Sequence, residues 1–247
     1  MVMTKHCLDL EETYREIGLR PGAAIVSPAE HGNAPPVLPP PLLCLEKGNH
    51  DPVVTIFAAG HFIPHQNFFV FIRHIAQAFE SVKANAARMV LLGLEPLESD
   101  AVHGYIVPGA EIANGAGASL KSIELLAKRS IKETGRELVR SGGLWNTLVF
   151  VCKLKTLSNA YRHTELNFYR SVQAIADGIN GSPKKPVIEQ VYRSVRRIDF
   201  FKDVLQNLSC EDRRNVVVLS VPRSDFSSGA VSGSAACEIN GVTRSPC

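Results

Sequence analysis

Short, fully apolar runs rich in β-branched residues alternate with amphipathic patterns along most of this chain. Three such runs are Val53–Phe57, Met89–Leu92 and Val216–Leu219. A helical stripe at three- and four-residue spacing follows the first of them, formed by Phe68, Ile72, Ile75, Phe79 and Val82. Strands that are apolar on both faces must be covered on both faces, which is typical of parallel sheets. The pattern therefore predicts an α/β fold in which helices flank a mostly parallel sheet.

Weaker patterns predict the other elements and the limits of the folded part. Further strands are expected at Ala23–Val26, at Tyr105–Val107 and through Trp145. Further helices are expected at Asp9–Ile17, Ser130–Val139, Leu154–Ala176 with a break near His163-Thr164, and Phe201–Leu208. From about Ser227 the chain is rich in Ser, Gly and Ala without periodicity. We therefore expect one domain over residues 1–229 and a disordered tail over 230–247.

Composition narrows the class of protein. A net charge of +3 and a pI near 8.5 do not favour a nucleic-acid partner, which would call for clustered basic residues. No segment approaches the roughly 20 apolar residues of a membrane helix, and the N-terminus has no apolar core of signal-peptide length. The 6 cysteines are scattered without a C-x-x-C pair, which fits reduced thiols. These features predict a cytoplasmic protein without a membrane partner.

The segment from Gly142 to Val151 holds the single Trp of the chain and changes from a glycine pair to an apolar run. Trp145 can supply a flat apolar wall, and Asn146 offers a donor and an acceptor that can bind a hydroxyl group. These residues could line a pocket at a strand end. Alternatively, the segment is a buried strand whose Trp fills the core.

Five segments in this order resemble one family. They are Ile25-Val26-Ser27-Pro28 with Gly32, Val53 to Phe62, Val90 to Pro96 with Gly104 to Val107, Gly143 to Thr147, and Val218 to Asp225. The specific combination is a leucine-glycine-x-x-proline strand, then glycine-tyrosine-isoleucine, then leucine-tryptophan-asparagine. Over about residues 23–228 the chain resembles the sugar-1-phosphate nucleotidyltransferases, in their bacterial mannose-1-phosphate guanylyltransferase branch.

The resemblance implies a Rossmann-like domain of GT-A type that makes GDP-mannose. In that reaction mannose 1-phosphate attacks the α-phosphorus of GTP and releases pyrophosphate. Mg²⁺ and basic side chains neutralise the phosphate charge. No glycine-rich loop ending in arginine precedes Ile25, so the expected domain, residues 1–229, is incomplete and lacks the first strand or strands. A missing strand leaves an exposed sheet edge, for which oligomerisation is one outcome.

The resemblance also assigns roles to individual residues. Sugar-side contacts fall on Gly104, Tyr105, Trp145 and Asn146, and base-side contacts on Gly32 and Asn33. Lys128 is the expected catalytic cation, and Asp225 the expected Mg²⁺ ligand.

Several positions depart from the family pattern. Asn33 stands where the family has a threonine, and Arg223 and Ser227 stand where its tryptophan-serine-aspartate-x-glycine motif has Trp and Gly. Two further departures remove polar side chains. Gly60 stands where the family has a metal-binding Asp, and Ala127 where it has a Glu. Glycine and alanine have no ligand atom in the side chain, so both departures remove polar groups from the expected site. Two hypotheses follow: a working nucleotidyltransferase, or a catalytically inactive relative that binds a sugar phosphate or a protein partner.

Overall fold

The computed structural model describes residues 2–4, 25–27, 51–57, 65–96, 104–113, 118–127, 132–177, 196–212 and 215–223. The chain divides into two compact units, of which unit 1 comprises residues 1–52 and 153–211 and unit 2 comprises residues 53–152 and 212–247. The strands are β1 (Val2–Thr4), β2 (Ile25–Ser27), β3 (Val53–Ile56), β4 (Met89–Leu94), β5 (Tyr105–Ile112), β6 (Leu120–Ala127), β7 (Leu144–Lys153) and β8 (Val216–Val221). The helices are α1 (His65–Lys83), α2 (Lys132–Arg140), α3 (Leu154–Thr164), α4 (Leu166–Asp177) and α5 (Gln206–Glu211), with a π-helical segment at Phe200–Leu205 before α5.

Unit 2 is built on a six-stranded sheet in the order β3-β7-β4-β8-β6-β5, in which β5 also pairs with β7. The additional pairing closes β4, β8, β6, β5 and β7 into a barrel. Strands β4 and β8 are parallel, whereas β4–β7, β5–β6, β5–β7 and β6–β8 are antiparallel. The α/β class with a sheet and flanking helices is confirmed, but the mostly parallel sheet is a wrong prediction. Strands β4 and β8 are buried in this barrel as well, because one of their faces is turned to the barrel interior and the other is covered by the helix His65–Lys83. Their apolar runs therefore do not reveal whether neighbouring strands are parallel.

Helix α1 covers one side of this sheet. Its residues Phe71, Ile75, Ala78 and Val82 join a buried cluster with Val90, Leu92 and Leu94 of β4 and Val217, Leu219 and Val221 of β8. We call the side of the sheet that these residues share the helix-facing side. The predicted stripe is partly wrong, because Phe71 is 3% exposed whereas Ile72 is 40% exposed. Ile75 and Val82 of the predicted stripe are buried and Phe79 packs against the cluster, so the buried face overlaps the predicted stripe.

Unit 1 contains α3, α4 and the π-helical segment, packed around the rings of Tyr161, Phe168 and Phe200. The predicted helical stretch is interrupted at Glu165, close to the break predicted at His163-Thr164. Asp199 begins the next segment: its carboxylate accepts hydrogen bonds from the Phe201 and Lys202 N–H groups. Such a cap satisfies donors that have no partner within the first turn.

Unit 1 also contains α5 and a short pair of strands, β1 and β2, which run parallel. Strand β2 overlaps the strand predicted at Ala23–Val26, while β1 has no counterpart in the prediction. The predicted helix at Asp9–Ile17 and the predicted tail at 230–247 lie outside the described residues. Within the described part of the chain, no helix is long and apolar enough to cross a membrane.

Candidate functional site

The first residues of β7 lie between β4 and β5. Trp145 is paired with Leu94 of β4 on one side and with Tyr105 of β5 on the other. The backbone N–H of Asn146 donates to the carbonyl oxygen of Gly104 over 3.0 Å. The structure therefore brings together the four residues predicted on the sugar side, Gly104, Tyr105, Trp145 and Asn146.

Gly104 leads the chain into β5 in the left-handed region, with φ at +87°. Residues with a Cβ seldom adopt this conformation, so glycine is the residue that this turn requires. Tyr105 follows and is 1% exposed, which fixes the start of β5 in the core. The glycine-tyrosine pair thus holds a backbone turn directly beside Asn146.

Asn146 is 8% exposed, and its side chain stabilises an irregularity in β7. Its Oδ1 accepts a hydrogen bond of 2.9 Å from the N–H of Leu148, which has a left-handed φ of +54°. The bond identifies the oxygen of the amide, because only an acceptor can face an N–H group. The amide nitrogen Nδ2 has no hydrogen-bond partner among the described residues. Asn146 is therefore held through its acceptor, and its donor is left for another group.

Trp145 belongs to a different side of the sheet. Neighbouring residues in a strand project to opposite faces, so Trp145 and Asn146 do not share one wall. Trp145 packs against the apolar cluster on the helix-facing side. The expectation that it fills the core is correct in part.

Arg223 lies over Trp145, its guanidinium carbon 5.7 Å from the centre of the ring. The backbone N–H of Arg223 donates to Oε2 of Glu95 over 3.1 Å. The indole Nε1 and the guanidinium Nε and Nη1 are buried and have no hydrogen-bond partner in the described part of the chain. Sequence reasoning treats Arg223 only as a replacement within a motif. No strand pattern indicates its position, because Arg223 lies beyond the end of β8 at Val221.

Four predicted site residues lie outside the described part of the chain: Gly32, Asn33, Lys128 and Asp225. Within the described part, no group of three His, Cys, Asp or Glu residues could hold a metal ion. The carboxylate of Glu95, at the end of β4, accepts an N–H of Arg223. Mg²⁺ prefers several oxygen ligands in octahedral geometry, so the described residues do not by themselves fit it.

Curated relatives come from bacteria. One is a Vibrio cholerae serotype O1 protein whose name assigns it provisionally as a mannose-1-phosphate guanylyltransferase, with 24% identity over 175 residues, or 71% of this chain and 36% of the relative. The Escherichia coli mannose-1-phosphate guanylyltransferase is 22% identical over 61% of this chain and 31% of its own length. The Xanthomonas campestris xanthan biosynthesis protein XanB is 26% identical over 60% of this chain and 29% of its own length. The chain thus matches about a third of each relative.

Solved structures support the fold. The Thermus thermophilus structure described as a mannose-1-phosphate geranyltransferase has a TM-score of 0.67 at 20% identity, covering 89% of this chain and 58% of that one. The Helicobacter pylori mannose-6-phosphate isomerase structure has a TM-score of 0.65 at 10% identity, covering 89% and 80%. No family model matches the sequence. The chain is thus distantly related to bacterial proteins named mannose-1-phosphate guanylyltransferase, with 22–24% identity over 61–71% of its own length.

Proposed function

We propose that this chain binds a sugar 1-phosphate beside Gly104 and Asn146 and transfers a nucleotidyl group to it. The specific reaction that we propose is mannose 1-phosphate with GTP, giving GDP-mannose and pyrophosphate. The observation that carries the proposal is the side chain of Asn146, whose Oδ1 is engaged by Leu148 while Nδ2 has no partner among the described residues. The names of the curated relatives support the choice of sugar and nucleotide.

The role of Asn146 in this proposal is to orient the sugar. Because Oδ1 is held by the backbone of β7, the amide is fixed before the ligand arrives, and Nδ2 donates a hydrogen bond to a sugar hydroxyl group. A phosphate oxygen of the sugar 1-phosphate then forms a bond to the α-phosphorus of GTP, and the bond to the departing pyrophosphate breaks. Such transfers depend mostly on positioning and charge neutralisation.

Two further residues enter the proposal from the family resemblance alone. Lys128 is proposed to neutralise phosphate charge, and Asp225 to bind Mg²⁺ together with substrate oxygens. The described residues supply no set of three ligands, so no step is assigned to the metal ion. Both roles are testable by conservative substitution of Lys128 and Asp225.

The test is release of pyrophosphate by the purified full chain supplied with mannose 1-phosphate, GTP and magnesium. The matched variant is Asn146→Asp, which keeps the acceptor for Leu148 N–H and removes the Nδ2 donor. We expect pyrophosphate release by the wild type and a loss of about tenfold or more in kcat/KM in the variant, since a sugar hydroxyl group left without its buried partner costs about 1–3 kcal/mol. Release no higher than without enzyme, at high protein concentration, would exclude turnover.

A second candidate function is ligand binding without turnover. The observation that favours it is Gly60, which supplies no ligand atom where the family has a metal-binding Asp. Thermal unfolding with mannose 1-phosphate or GDP-mannose separates the two functions, because a bound ligand raises Tm whether or not it reacts. A rise in Tm without pyrophosphate release would support the second function, and no rise with either ligand would contradict both.

A further inference from the structure

Three polar donors at the ends of β4, β7 and β8 are buried without partners. They are Nε1 of Trp145 and Nε and Nη1 of Arg223. Buried donors in folded proteins are nearly always paired, because a donor that gives up water without a new acceptor costs free energy. The three donors lie together, since the guanidinium carbon is 5.7 Å from the centre of the indole ring.

Among the described residues, the positive charge at these donors has no negatively charged partner. Arg223 carries a full positive charge that forms no ion pair among the described residues. Glu95 contacts Arg223 only at the backbone, where Oε2 accepts the N–H over 3.1 Å. A guanidinium in such surroundings is usually paired with an anion that accepts its hydrogen bonds. Among the described residues, the cluster therefore supplies donors and positive charge and lacks an acceptor.

The position in the sheet suits a ligand. β4 and β8 are parallel neighbours, and Glu95 and Arg223 follow their carboxyl ends. Side chains at the carboxyl ends of parallel strands commonly surround bound molecules. Arg223 as a whole is only partly buried, so its side chain can be reached from outside. The indole face holds the guanidinium plane in place by a cation–π contact.

We propose that Arg223 and Trp145 form a binding site for an oxyanion, a phosphate or carboxylate group, at the carboxyl ends of β4 and β8. The oxyanion accepts hydrogen bonds from the guanidinium and from the indole N–H after a rotation of the Arg223 side chain. This site lies on the helix-facing side, away from the face of Asn146. It is therefore independent of the proposed sugar contact, and it involves no covalent step.

Trp145 is the only Trp of the chain, so intrinsic Trp fluorescence reports on this site directly. The wild type is titrated in parallel with inorganic phosphate and with sodium acetate, at an ionic strength held constant with sodium chloride. We expect a saturable change with one or both anions. Saturation by phosphate alone assigns the site to phosphate groups, and saturation by acetate extends it to carboxylates.

The variants are Arg223→Met, which removes the donors at similar volume, and Arg223→Lys, which keeps the charge but loses the planar fork. We expect the anion response to vanish in Arg223→Met and to need about tenfold or more anion in Arg223→Lys. Arg73→Met, which removes an exposed arginine of α1 in the same unit, is the control, and its anion response should equal that of the wild type. That equality would hold even if the proposed sugar contact proved wrong.

The Tm of the wild type and of Arg223→Met, measured without anion, is a second test. If Arg223 serves to bind an anion, its charge is buried and unpaired in the anion-free protein and destabilises the fold. Arg223→Met should therefore raise Tm in the absence of anion. A purely structural arginine would lower Tm on removal. The proposal is overturned by a wild type that shows no saturable response, by equal responses in wild type and Arg223→Met, or by a lower Tm in that variant. If Arg223→Met does not fold, a response in Arg223→Lys equal to that of the wild type overturns the proposal.

Discussion

At the scale of single residues, polar side chains in β7 bond to the backbone of the sheet. Thr147 Oγ1 donates to the carbonyl oxygen of Leu92 over 2.6 Å and accepts from the N–H of Val149 over 3.2 Å. Asn146 acts in the same way on Leu148. The sequence predicts Asn146 as a polar residue at a strand end, but not these bonds, because they depend on an irregularity whose position no local pattern reveals.

Thr147→Val tests how much these bonds stabilise the strand. Valine has nearly the same shape, but it leaves the Leu92 carbonyl and the Val149 N–H without their buried partner. We expect a loss of about 1–3 kcal/mol in the free energy of unfolding, measured by urea denaturation. Thr147→Ser keeps the hydroxyl group and should lose less. Equal losses in the two variants would show that the methyl group, and not the hydroxyl group, matters.

At the scale of elements, β7 pairs with β4 on both sides of an irregularity. Its first residues pair with both β4 and β5, and the register with β4 shifts between Leu91 and Gly93. The shift coincides with Leu148, whose φ is +54°. Apolar runs predict where strands exist, as at Val216–Leu219, yet the neighbours of each strand depend on such shifts. Periodicity likewise predicts α1 with Ile75 and Val82 in its buried face, but it includes the exposed Ile72 and omits the buried Phe71.

Leu148→Gly tests the strain at this point of β7. A left-handed conformation costs a residue with a Cβ roughly 1–2 kcal/mol, which glycine avoids, while glycine in a strand costs about 0.5–1 kcal/mol in entropy. These effects nearly cancel, so we expect an unfolding free energy within about 1 kcal/mol of the wild type. Leu144→Gly, in the same strand but at a buried position, should cost about 3 kcal/mol or more. A comparable loss in both variants would contradict strain at Leu148.

The end of α2 offers a second element-scale test in two adjacent glycines. Gly142 has a φ of +83° and open space where a Cβ would stand, whereas a Cβ on Gly143 would lie 2.6 Å from the carbonyl oxygen of Leu138. Gly143→Ala should therefore destabilise the protein more than Gly142→Ala, by about 2 kcal/mol against about 1 kcal/mol. Urea denaturation of the two variants measures the difference. A larger loss in Gly142→Ala than in Gly143→Ala would show that the positive φ of Gly142 limits stability here more than the close approach of Gly143 to Leu138.

At the scale of the whole molecule, local patterns predict the α/β class and most of the strands and helices of unit 2. They do not predict strand direction, because fully apolar strands such as β4 and β8 suit both a parallel sheet and the closed barrel that forms. The ordered motifs predict that Gly104, Tyr105, Trp145 and Asn146 meet, although the two pairs lie about 40 residues apart in sequence. The buried donors of Arg223 emerge only from the structure, since burial of single atoms leaves no trace in a motif.

The central claim is that Asn146 orients a sugar 1-phosphate through its Nδ2 donor. Isothermal titration calorimetry of mannose 1-phosphate into wild type and Asn146→Asp tests this claim without requiring turnover. We expect saturable binding to the wild type and binding weaker by about tenfold or more in the variant, with the two proteins unfolding at similar temperatures. Equal affinities in two folded proteins, or no binding to the wild type, would contradict the claim.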